Sequence, residues 1–359
     1  MLGAGFMMRG LGVGCLVMVV ACSSSSSSPP IDPLATAYCE ACSELPNCET
    51  LITETLTVVC PDETRAWYTC VTENACDTTP CDPEFAARTA CLGRGPVDQV
   101  RVAIFLRRPS ANLGHRGTGR MRPGHPFPEN SISSFVAAMD EGADGVSLDV
   151  EITRDGGLIV MHDDTLDRTT NCTGCVSEKT FDEIRTCRLL DGDGNPTEER
   201  PPTLLEVYSA LEDTALVDVE LKVFGADCLT DTTGPEALVP LALDQVTEIG
   251  SENRTIFSSF DETAAGLVKT ERPDYYSALL LPVTASGSEG VEKALLLDQD
   301  AIHPFVSVSS DVVQQALDSD LQVNIWTANT EQFMQEQLDK GSTAIITDRP
   351  AILAGLLDL

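Results

Sequence analysis

The sequence predicts an α/β fold, in which helices connect the strands of a parallel sheet, preceded by a small cysteine-rich module. Two observations predict it. After about residue 101, short apolar runs alternate with segments of helical periodicity, as they do where crossover helices join parallel strands. In front of them, residues 38–100 hold eight cysteines. With 359 residues, of which 42% are hydrophobic, the chain is long enough for one large domain and one smaller module.

Nine apolar runs are candidate strands, one more than a closed eight-stranded barrel needs. One of them is therefore expected to be an accessory strand, although the spacing does not identify which. The nine runs are residues 112–115, 144–150, 158–162, 215–222, 255–260, 276–281, 301–305, 323–327 and 344–347.

Two segments between these strands have clear helical patterns. In Ser131–Glu141, apolar residues recur with spacings of three and four, which predicts a helix that packs on the outside of the sheet. In Thr203–Leu211, a preceding pair of prolines leads into a second helix. The predicted buried faces are Ile132, Phe135, Val136 and Met139 in the first helix and Leu204, Val207, Tyr208 and Leu211 in the second.

The N-terminal residues have the features of an export signal. Residues 1–21 contain one positive charge and then the apolar run Leu11–Val20, which is too short to cross a bilayer. The sequence Val19-Val20-Ala21-Cys22 resembles the lipobox of bacterial lipoproteins, which implies a cleaved signal peptide and lipidation of Cys22. Residues 22–37 would be a Ser- and Pro-rich tether. We expect an exported protein anchored to the cell envelope, at the outer membrane or the cell surface of a bacterium, with plain secretion as the alternative.

The cysteine numbers agree with export. Eight cysteines lie in residues 38–100, and four lie further on, at Cys172, Cys175, Cys187 and Cys228. Even numbers in an oxidising compartment predict up to four disulfides in the first set and up to two in the second, with pairing left open. Zinc binding at the Cys-x-x-Cys motifs is the competing interpretation. The module itself, which we expect to be helical, could be a spacer, a partner-binding patch or a lid.

The charge excludes one class of function. Nucleic-acid binding depends on clustered Lys and Arg that release counterions from the phosphate backbone. The formal net charge of this chain is −33. Any phosphate chemistry must therefore rest on a few placed cations.

Polar side chains lie at the ends of four predicted strands. They are His115 and Arg116; Ser147, Asp149 and Glu151; His162; and Glu220 and Lys222. Parallel strands carry catalytic groups at their carboxyl ends, so we expect these side chains to converge. Hydrolysis of a phosphodiester needs positive charge on the non-bridging oxygens, a base for the attacking oxygen and an acid for the leaving one. Two histidines, an arginine, a lysine and a carboxylate-bound cation would supply all three.

A series of motifs runs from Leu113 to the C-terminus, over about two thirds of the chain. They are His115-Arg116-Gly117; Pro128-Glu129-Asn130-Ser131; Gly142-Ala143-Asp144; Leu148-Asp149-Val150; Thr153-Arg154-Asp155-Gly156; His162-Asp163; Leu166; Arg168-Thr169-Thr170; Pro202-Thr203-Leu204; Glu220-Leu221-Lys222; Ser259-Phe260-Asp261; Trp326-Thr327; Asn329; and Thr347-Asp348-Arg349-Pro350. In this order, the motifs resemble the glycerophosphodiester phosphodiesterase family.

The resemblance implies a TIM (β/α)8 barrel over residues 101–359 that hydrolyses glycerophosphodiesters to an alcohol and glycerol 3-phosphate. His115 and His162 would be the general acid–base pair. Arg116 and Lys222 would hold the substrate phosphate. Whether water attacks phosphorus directly, or a neighbouring glycerol hydroxyl attacks first, stays open.

The resemblance also implies a divalent cation, Ca²⁺ or Mg²⁺, bound by Asp149 and Glu220. The sequence departs from the family at Ser147, where the family has a further carboxylate ligand. A hydroxyl removes one negative charge and weakens a cation site. Water could complete the site, Ser147, Glu129 or Glu151 could contribute, or the protein could be a binding relative with weak catalysis.

The remaining expectations concern the substrate pocket. Glu129 and Asn130 would shape the first loop, and Trp326 would face the alcohol or the glycerol part of the substrate as an apolar wall. The loop of residues 118–127, which contains His125 with Arg120 and Arg122, is longer than expected. It either contacts the polar head of the substrate or is an insertion.

Two other functions stay open. One is a sphingomyelinase- or phospholipase D-like enzyme of the same fold, which lysophospholipid turnover without glycerophosphodiester turnover would indicate. The other is a non-enzymatic lipoprotein that binds phosphodiesters, or an envelope partner through its cysteine-rich module.

Overall fold

The structure is a computed structural model that describes residues 100–101, 104, 109–223, 225, 227–228, 230, 233–285 and 287–357. The predicted signal peptide, Cys22, the tether and the cysteine-rich module lie outside the described residues, so these expectations stay predictions. The chain divides into two units between Arg94 and Gly95, and every described residue belongs to the second. In the described part of the chain, no helix is long and apolar enough to cross a membrane.

The described strands form a closed barrel. They are β1 Ala111–His115, β2 Gly145–Ile152, β3 Leu158–Val160, β4 Leu216–Leu221, β5 Thr255–Ser259, β6 Ser277–Leu281, β7 Ala301–Pro304, β8 Gln322–Ile325 and β9 Ala344–Thr347. Eight of them are parallel, and β1 pairs with both β9 and β2, which closes the sheet. Strand β3 instead pairs antiparallel with the end of β2 and is the accessory strand. The predicted TIM barrel is confirmed.

Helices surround the barrel and connect its strands. They are α1 Ile132–Asp140, α2 Phe181–Ile184, α3 Leu204–Ala210, α4 Pro235–Ile249, α5 Glu262–Glu271, α6 Ser288–Leu296, α7 Ser310–Asp318, α8 Glu331–Lys340 and α9 Pro350–Leu357. The predicted face of α3 is confirmed, because Leu204, Val207 and Tyr208 are all buried. A capping box between Thr203 and Glu206 starts this helix.

Helix α1 is rotated relative to the prediction. Phe135 is fully buried, but Val136 is 37% exposed, so the expected apolar face was partly wrong. Ser134 faces inward instead, and its Oγ accepts a hydrogen bond from the backbone N–H of Thr118 at 2.9 Å. A Cβ added to Gly117 would lie 2.3 Å from the same Oγ. Small residues therefore let α1 approach the loop after β1 closely.

The inside of the barrel changes character along its axis. Near the amino ends of the strands, Leu216 and Ile256 belong to an apolar cluster. One layer higher, Asp218 Oδ1 accepts a hydrogen bond from Ser258 Oγ at 2.7 Å. In the same layer, the ring Nε2 of the fully buried His303 lies 2.9 Å from the side-chain amide of Asn324.

Burial disfavours the charged form of both members of the His303–Asp218 pair. Its closest atoms, Nδ1 and Oδ2, are 3.6 Å apart. Burial raises the pKa of Asp218 to about 8 and lowers the pKa of His303 to about 3. A charge here would have to leave water for an apolar interior, which is costly even beside a partner. Burial therefore favours the neutral forms of these two side chains.

We expect His303 to make the protein acid-sensitive. Its imidazole titrates at 6.5 in an ordinary environment but only at about 3 when buried. As the pH falls, the unfolded chain binds the proton first, so the free energy of unfolding decreases between these values by up to about 1.4 kcal/mol per pH unit. The variant His303→Asn should have a lower melting temperature than the wild type at pH 7. Between pH 7 and pH 4, its free energy of unfolding should decrease less than that of the wild type. An equal decrease in the stability of the wild type and the variant between pH 7 and pH 4 would contradict the role of His303 in acid sensitivity.

Candidate active site

Adjacent strands bring the candidate residues together at the carboxyl end of the barrel. The register pairs His115 on β1 with Ser147 on β2, and Asp149 on β2 with Glu220 on β4. Lys222 directly follows β4, and its backbone N–H bonds to the carbonyl oxygen of Val150 at 3.1 Å. The convergence that the sequence predicts is therefore built by the pairing of three neighbouring strands.

His115 is oriented by a carboxylate from the last strand. Its Nδ1 lies 2.6 Å from Oδ1 of Asp348, which directly follows β9. Burial raises the pKa of Asp348, but the hydrogen bond and charge of His115 outweigh it, and the pKa lies below its ordinary value. An ionised carboxylate only accepts hydrogen bonds, so Nδ1 donates. Asn329 Nδ2 holds the other Asp348 oxygen at 2.9 Å. The opposite ring nitrogen, Nε2, is left for substrate.

His162 has an equivalent arrangement. Its Nδ1 lies 2.7 Å from Oδ1 of Asp163. Arg168 binds the same carboxylate through Nε at 2.6 Å and Nη2 at 2.8 Å. Although burial raises the pKa of Asp163, hydrogen bonds from Arg168 and His162 hold it well below its ordinary value. The side chain of His162 is 30% exposed and that of His115 is 13% exposed, so both imidazoles are accessible.

Glu129 joins two arginines below the histidines. Arg168 donates from both terminal nitrogens, at 2.7 and 2.8 Å, and Arg116 Nη1 donates at 2.7 Å. The backbone N–H of Met121 adds a contact at 2.7 Å. Burial opposes ionisation, but these donors lower the pKa of Glu129 to about 2. Both oxygens of Glu129 already accept hydrogen bonds from these donors. Glu129 therefore positions the two arginines, and it is not one of the proposed cation ligands.

Two residues of the first loop have left-handed backbone conformations. Arg116 has φ 54° and Asn130 has φ 56°. The backbone N–H of Asn130 bonds to the carbonyl oxygen of Arg116 at 3.1 Å, and its side-chain Nδ2 donates to Asp149 Oδ2 at 2.9 Å. Such conformations are unfavourable outside glycine and concentrate at functional sites. Here they bring two side chains of the loop after β1 into contact with Asp149 on β2.

Lys222 lies between the two predicted cation ligands. Its Nζ is 2.8 Å from Glu220 Oε1 and 4.0 Å from Asp149 Oδ1. Burial raises the pKa of Asp149, but Arg116, His162 and Lys222 together lower it well below its ordinary value. Both carboxylates are therefore held close to positive groups.

The donor set fits a hard cation only in part. Asp149 and Glu220 are neighbours in register, and carboxylate oxygens are the ligands that Ca²⁺ and Mg²⁺ prefer. Ser147 contributes no charge. In the described part of the chain, no group of three or more Asp, Glu, His or Cys side chains is arranged closely enough to hold a metal ion. The buried carboxylate of Glu151 lies two residues after Asp149 on β2. In the described part of the chain, neither of its oxygens has a hydrogen-bond partner.

A cavity of about 350 Å³ opens at this end of the barrel. Its lining includes Arg116, Arg120, Arg122, Arg168, His162 and Asp348. Larger depressions of about 490 and 610 Å³ lie among the outer helices, but neither contains a histidine or a cluster of cations. The four arginines concentrate positive charge locally in a strongly acidic protein, as phosphate chemistry requires.

An aromatic cluster lies at the ends of other strands. Trp326 directly follows β8, and its ring meets Phe260 and Phe305 edge to face, with centroids 5.3 and 5.1 Å apart. Its Nε1 donates to the carbonyl oxygen of His303 at 2.8 Å. Phe260 is 39% exposed. The cluster therefore presents an apolar surface, as the prediction for Trp326 requires.

Two disulfides fix the loops beside the site. Cys172 pairs with Cys187, and Cys175 pairs with Cys228. The zinc interpretation of the second Cys-x-x-Cys motif is therefore wrong, since its two thiols bond to different partners. The Cys175–Cys228 bond joins the loop that carries His162 to the loop that follows Lys222.

Sequence reasoning missed several residues of the site. Asp348 and Arg168 belong to recognised motifs but received no role. Asp348 could have been found from its position directly after a predicted strand. The same criterion, a polar residue at the carboxyl end of a strand, identified His115. The loop arginines Arg120 and Arg122 line the cavity, so this loop contributes to the site. His125 is not in the lining, because its Nδ1 lies 2.7 Å from the carbonyl oxygen of Phe127 and its Nε2 lies 3.3 Å from Oγ1 of Thr118.

Comparison with known proteins identifies the chain. Residues 115–352 match the model of the glycerophosphoryl diester phosphodiesterase family. The chain belongs to this family. A glycerophosphodiester phosphodiesterase from Caldanaerobacter subterraneus is 33% identical over 251 residues, which cover 68% of this chain and 96% of that protein. A Bacillus altitudinis glycerophosphodiester phosphodiesterase is 30% identical over 62% of this chain and 90% of its own length.

Solved structures confirm the fold of this family member. A putative glycerophosphoryl diester phosphodiesterase from Agrobacterium tumefaciens has a TM-score of 0.60 and 24% identity, over 69% of this chain and 98% of its own. An Oleispira antarctica phosphodiesterase, in complex with the product sn-glycerol-3-phosphate, has a TM-score of 0.62 and 23% identity, over 71% and 99%. Family membership also confirms the prediction of a phosphoric diester hydrolase.

Arg168 is expected to be a positioning residue for His162. The variant Arg168→Gln would free Asp163 and leave Glu129 with one arginine fewer, so we expect kcat for phosphodiester hydrolysis to fall about 10- to 100-fold. The control is Arg185→Gln, which removes a similar two-bonded pair, Arg185–Glu206, that does not line the cavity. Surface pairs contribute little, so its kcat should change less than about twofold. Equal losses in the two variants would remove the positioning role.

Proposed function

We propose that the protein hydrolyses glycerophosphodiesters to an alcohol and glycerol 3-phosphate, with His115 and His162 as the acid–base pair. The observation that carries this proposal is the pairing of each histidine with its own carboxylate beside a cavity lined by four arginines. Family membership and the 33% identical Caldanaerobacter enzyme support the substrate class.

The two imidazoles suit a reaction that needs a base and an acid. In each, a carboxylate accepts from Nδ1 and so leaves Nε2 to exchange a proton with substrate. One imidazole takes a proton from the attacking oxygen, which belongs to water or to a neighbouring glycerol hydroxyl, as the new P–O bond forms. The other gives a proton to the leaving alkoxide as the old P–O bond breaks, so the proton count of the pair is restored. If the hydroxyl attacks, water opens the resulting cyclic ester in a second step with the two roles exchanged. Arg116 and Lys222 would stabilise the non-bridging oxygens.

We also propose a divalent cation, Ca²⁺ or Mg²⁺, held by Asp149 and Glu220. The support is the adjacency of these two carboxylates in register and the burial of Asp149. When bound, the ion would neutralise charge on the phosphate. Lys222 lies beside both carboxylates and would hold the same phosphate.

One assay tests the proposal. The mature chain is given glycerophosphocholine with Ca²⁺, with Mg²⁺ or with a chelator, and release of glycerol 3-phosphate is measured. The wild type should turn over with at least one ion and lose activity with chelator. His115→Ala and His162→Ala should each lower kcat at least about 100-fold, because a general acid or base contributes that much.

Binding measurements separate a catalytic from a structural effect in this assay. Each histidine variant should keep the affinity for glycerol 3-phosphate within a few-fold and unfold at a temperature near that of the wild type. A wild type that is inactive with every ion would refute the activity. Unchanged turnover in both variants would refute the acid–base assignment alone.

A lysophospholipid is a second candidate substrate because of the aromatic cluster. An acyl chain needs an apolar wall, and Trp326 with the partly exposed Phe260 provides one. Lysophosphatidylcholine is therefore included in the same assay. Its turnover without turnover of glycerophosphocholine would favour the phospholipase D-like activity.

We further propose export and anchoring to the cell envelope through lipid on Cys22. The two disulfides support an oxidising compartment, since such bonds are rare in reducing ones. The variant Cys22→Ala should move the protein from the membrane fraction to the soluble fraction and should not incorporate labelled fatty acid. A wild type that is already soluble would indicate plain secretion instead.

A further inference from the structure

The four arginines that line the cavity form two different pairs. Arg116 and Arg168 donate to carboxylates at 2.6 to 2.8 Å, so their charge is largely used within the protein. Arg120 and Arg122 belong to the loop after β1. The ion-pair contact of Arg120 is a long one, 3.9 Å from its Nε to Asp348 Oδ2, and its side chain is 63% exposed. The positive charge of these two loop arginines is therefore available to a ligand.

The guanidinium of Arg122 is placed by carbonyl oxygens rather than by a carboxylate. In the described part of the chain, its Nη1 donates to the carbonyl oxygens of Thr118 and Arg120 at 3.4 and 3.2 Å, and Nε and Nη2 remain for a ligand. The charged groups that face it are Arg349, Asp348 and Glu141. Partial burial and the charge of Arg349 lower the pKa of Arg122 in spite of the two carboxylates. An anion beside Arg122 would relieve this repulsion.

The loop that carries these arginines is held by the turn of residues 191–195. The backbone N–H of Gly192 donates to the carbonyl oxygen of His125 at 3.0 Å, and the N–H of Gly124 donates to Asp193 Oδ1 at 2.9 Å. A Cβ added to Gly192 would lie 1.9 Å from the carbonyl oxygen of Arg122, so the close approach of the turn requires glycine. Binding groups that are fixed in advance lose less conformational entropy when a ligand binds.

The loop arginines are close enough to the histidines to contact the same substrate. They line one cavity together with His162 and Asp348. The phosphodiester group itself is expected at Arg116 and Lys222, and glycerol carries no charge. An anionic group at the loop arginines must therefore belong to the alcohol part of the substrate.

We propose that Arg120 and Arg122 bind an anionic group on the alcohol part of the substrate. The protein then prefers glycerophosphodiesters of acidic alcohols to those of choline or ethanolamine, whose ammonium groups these arginines would repel. The planar guanidinium suits this role because it donates two parallel hydrogen bonds to a carboxylate or phosphate. This inference rests on the proposed function, since it narrows the substrate class of the same site.

Two substrates that differ by one carboxylate test the proposal. Glycerophosphoserine and glycerophosphoethanolamine are given to the mature chain, with the cation that supports turnover, and kcat/KM is measured for each. The wild type should favour glycerophosphoserine at least about fivefold at low ionic strength, because charge pairs that are partly exposed contribute about that much. This preference should decrease as salt is added, since salt screens exposed charges.

Variants assign the preference to the loop arginines. Arg120→Gln and Arg122→Gln should each lower the ratio of the two kcat/KM values about two- to threefold, and the double variant should bring it close to 1. Arg120→Glu should reverse the preference, which a merely structural role of the loop would not do. The matched control is Arg272→Gln, which removes the same charge between α5 and β6, at the opposite end of the barrel, and should keep the wild-type ratio.

The inference and the proposed function can fail separately. A wild-type ratio of about 1 or below, or an unchanged ratio in the double variant, would overturn the role of the loop arginines and leave the hydrolysis intact. A wild type that hydrolyses neither diester would refute the proposed function. Calorimetric binding of the two diesters would then decide about the loop. Tighter binding of glycerophosphoserine that the double variant loses would support the role of the loop arginines, and equal binding would overturn it.

Discussion

The mouth of the barrel depends on one constraint, which is that a buried carboxylate needs a positive partner. Glu129 satisfies it by binding Arg116 and Arg168. Because Arg168 also holds Asp163, and Asp163 holds His162, the orientation of that imidazole depends on an ion pair two contacts away. Removing one member leaves another charge buried without compensation, which costs far more than the pair itself contributes. The site is therefore connected through its salt bridges rather than through its backbone alone.

The same constraint explains how a protein of net charge −33 can hold a phosphate. Arg116 and Arg168 are paired with three carboxylates, Glu129, Asp149 and Asp163, so they supply directed donors more than net charge. The loop of residues 118–127 adds two further arginines, and the side chain of Arg120 is 63% exposed. The extra length of this loop thus brings positive charge to a place where the barrel strands themselves contribute acids. Salt would screen this exposed part more than the buried part.

Periodicity and strand-end position predicted the barrel and the core of its site, since both depend on local sequence. His115, Asp149, His162 and Lys222 all lie at strand ends that the apolar runs predicted. What could not be predicted depends on contacts between distant segments. The bond from Asp348 to His115 joins residues 233 positions apart. The rotation of α1, the disulfide pairing and the accessory nature of β3 likewise follow from three-dimensional packing, which spacing along the chain does not encode.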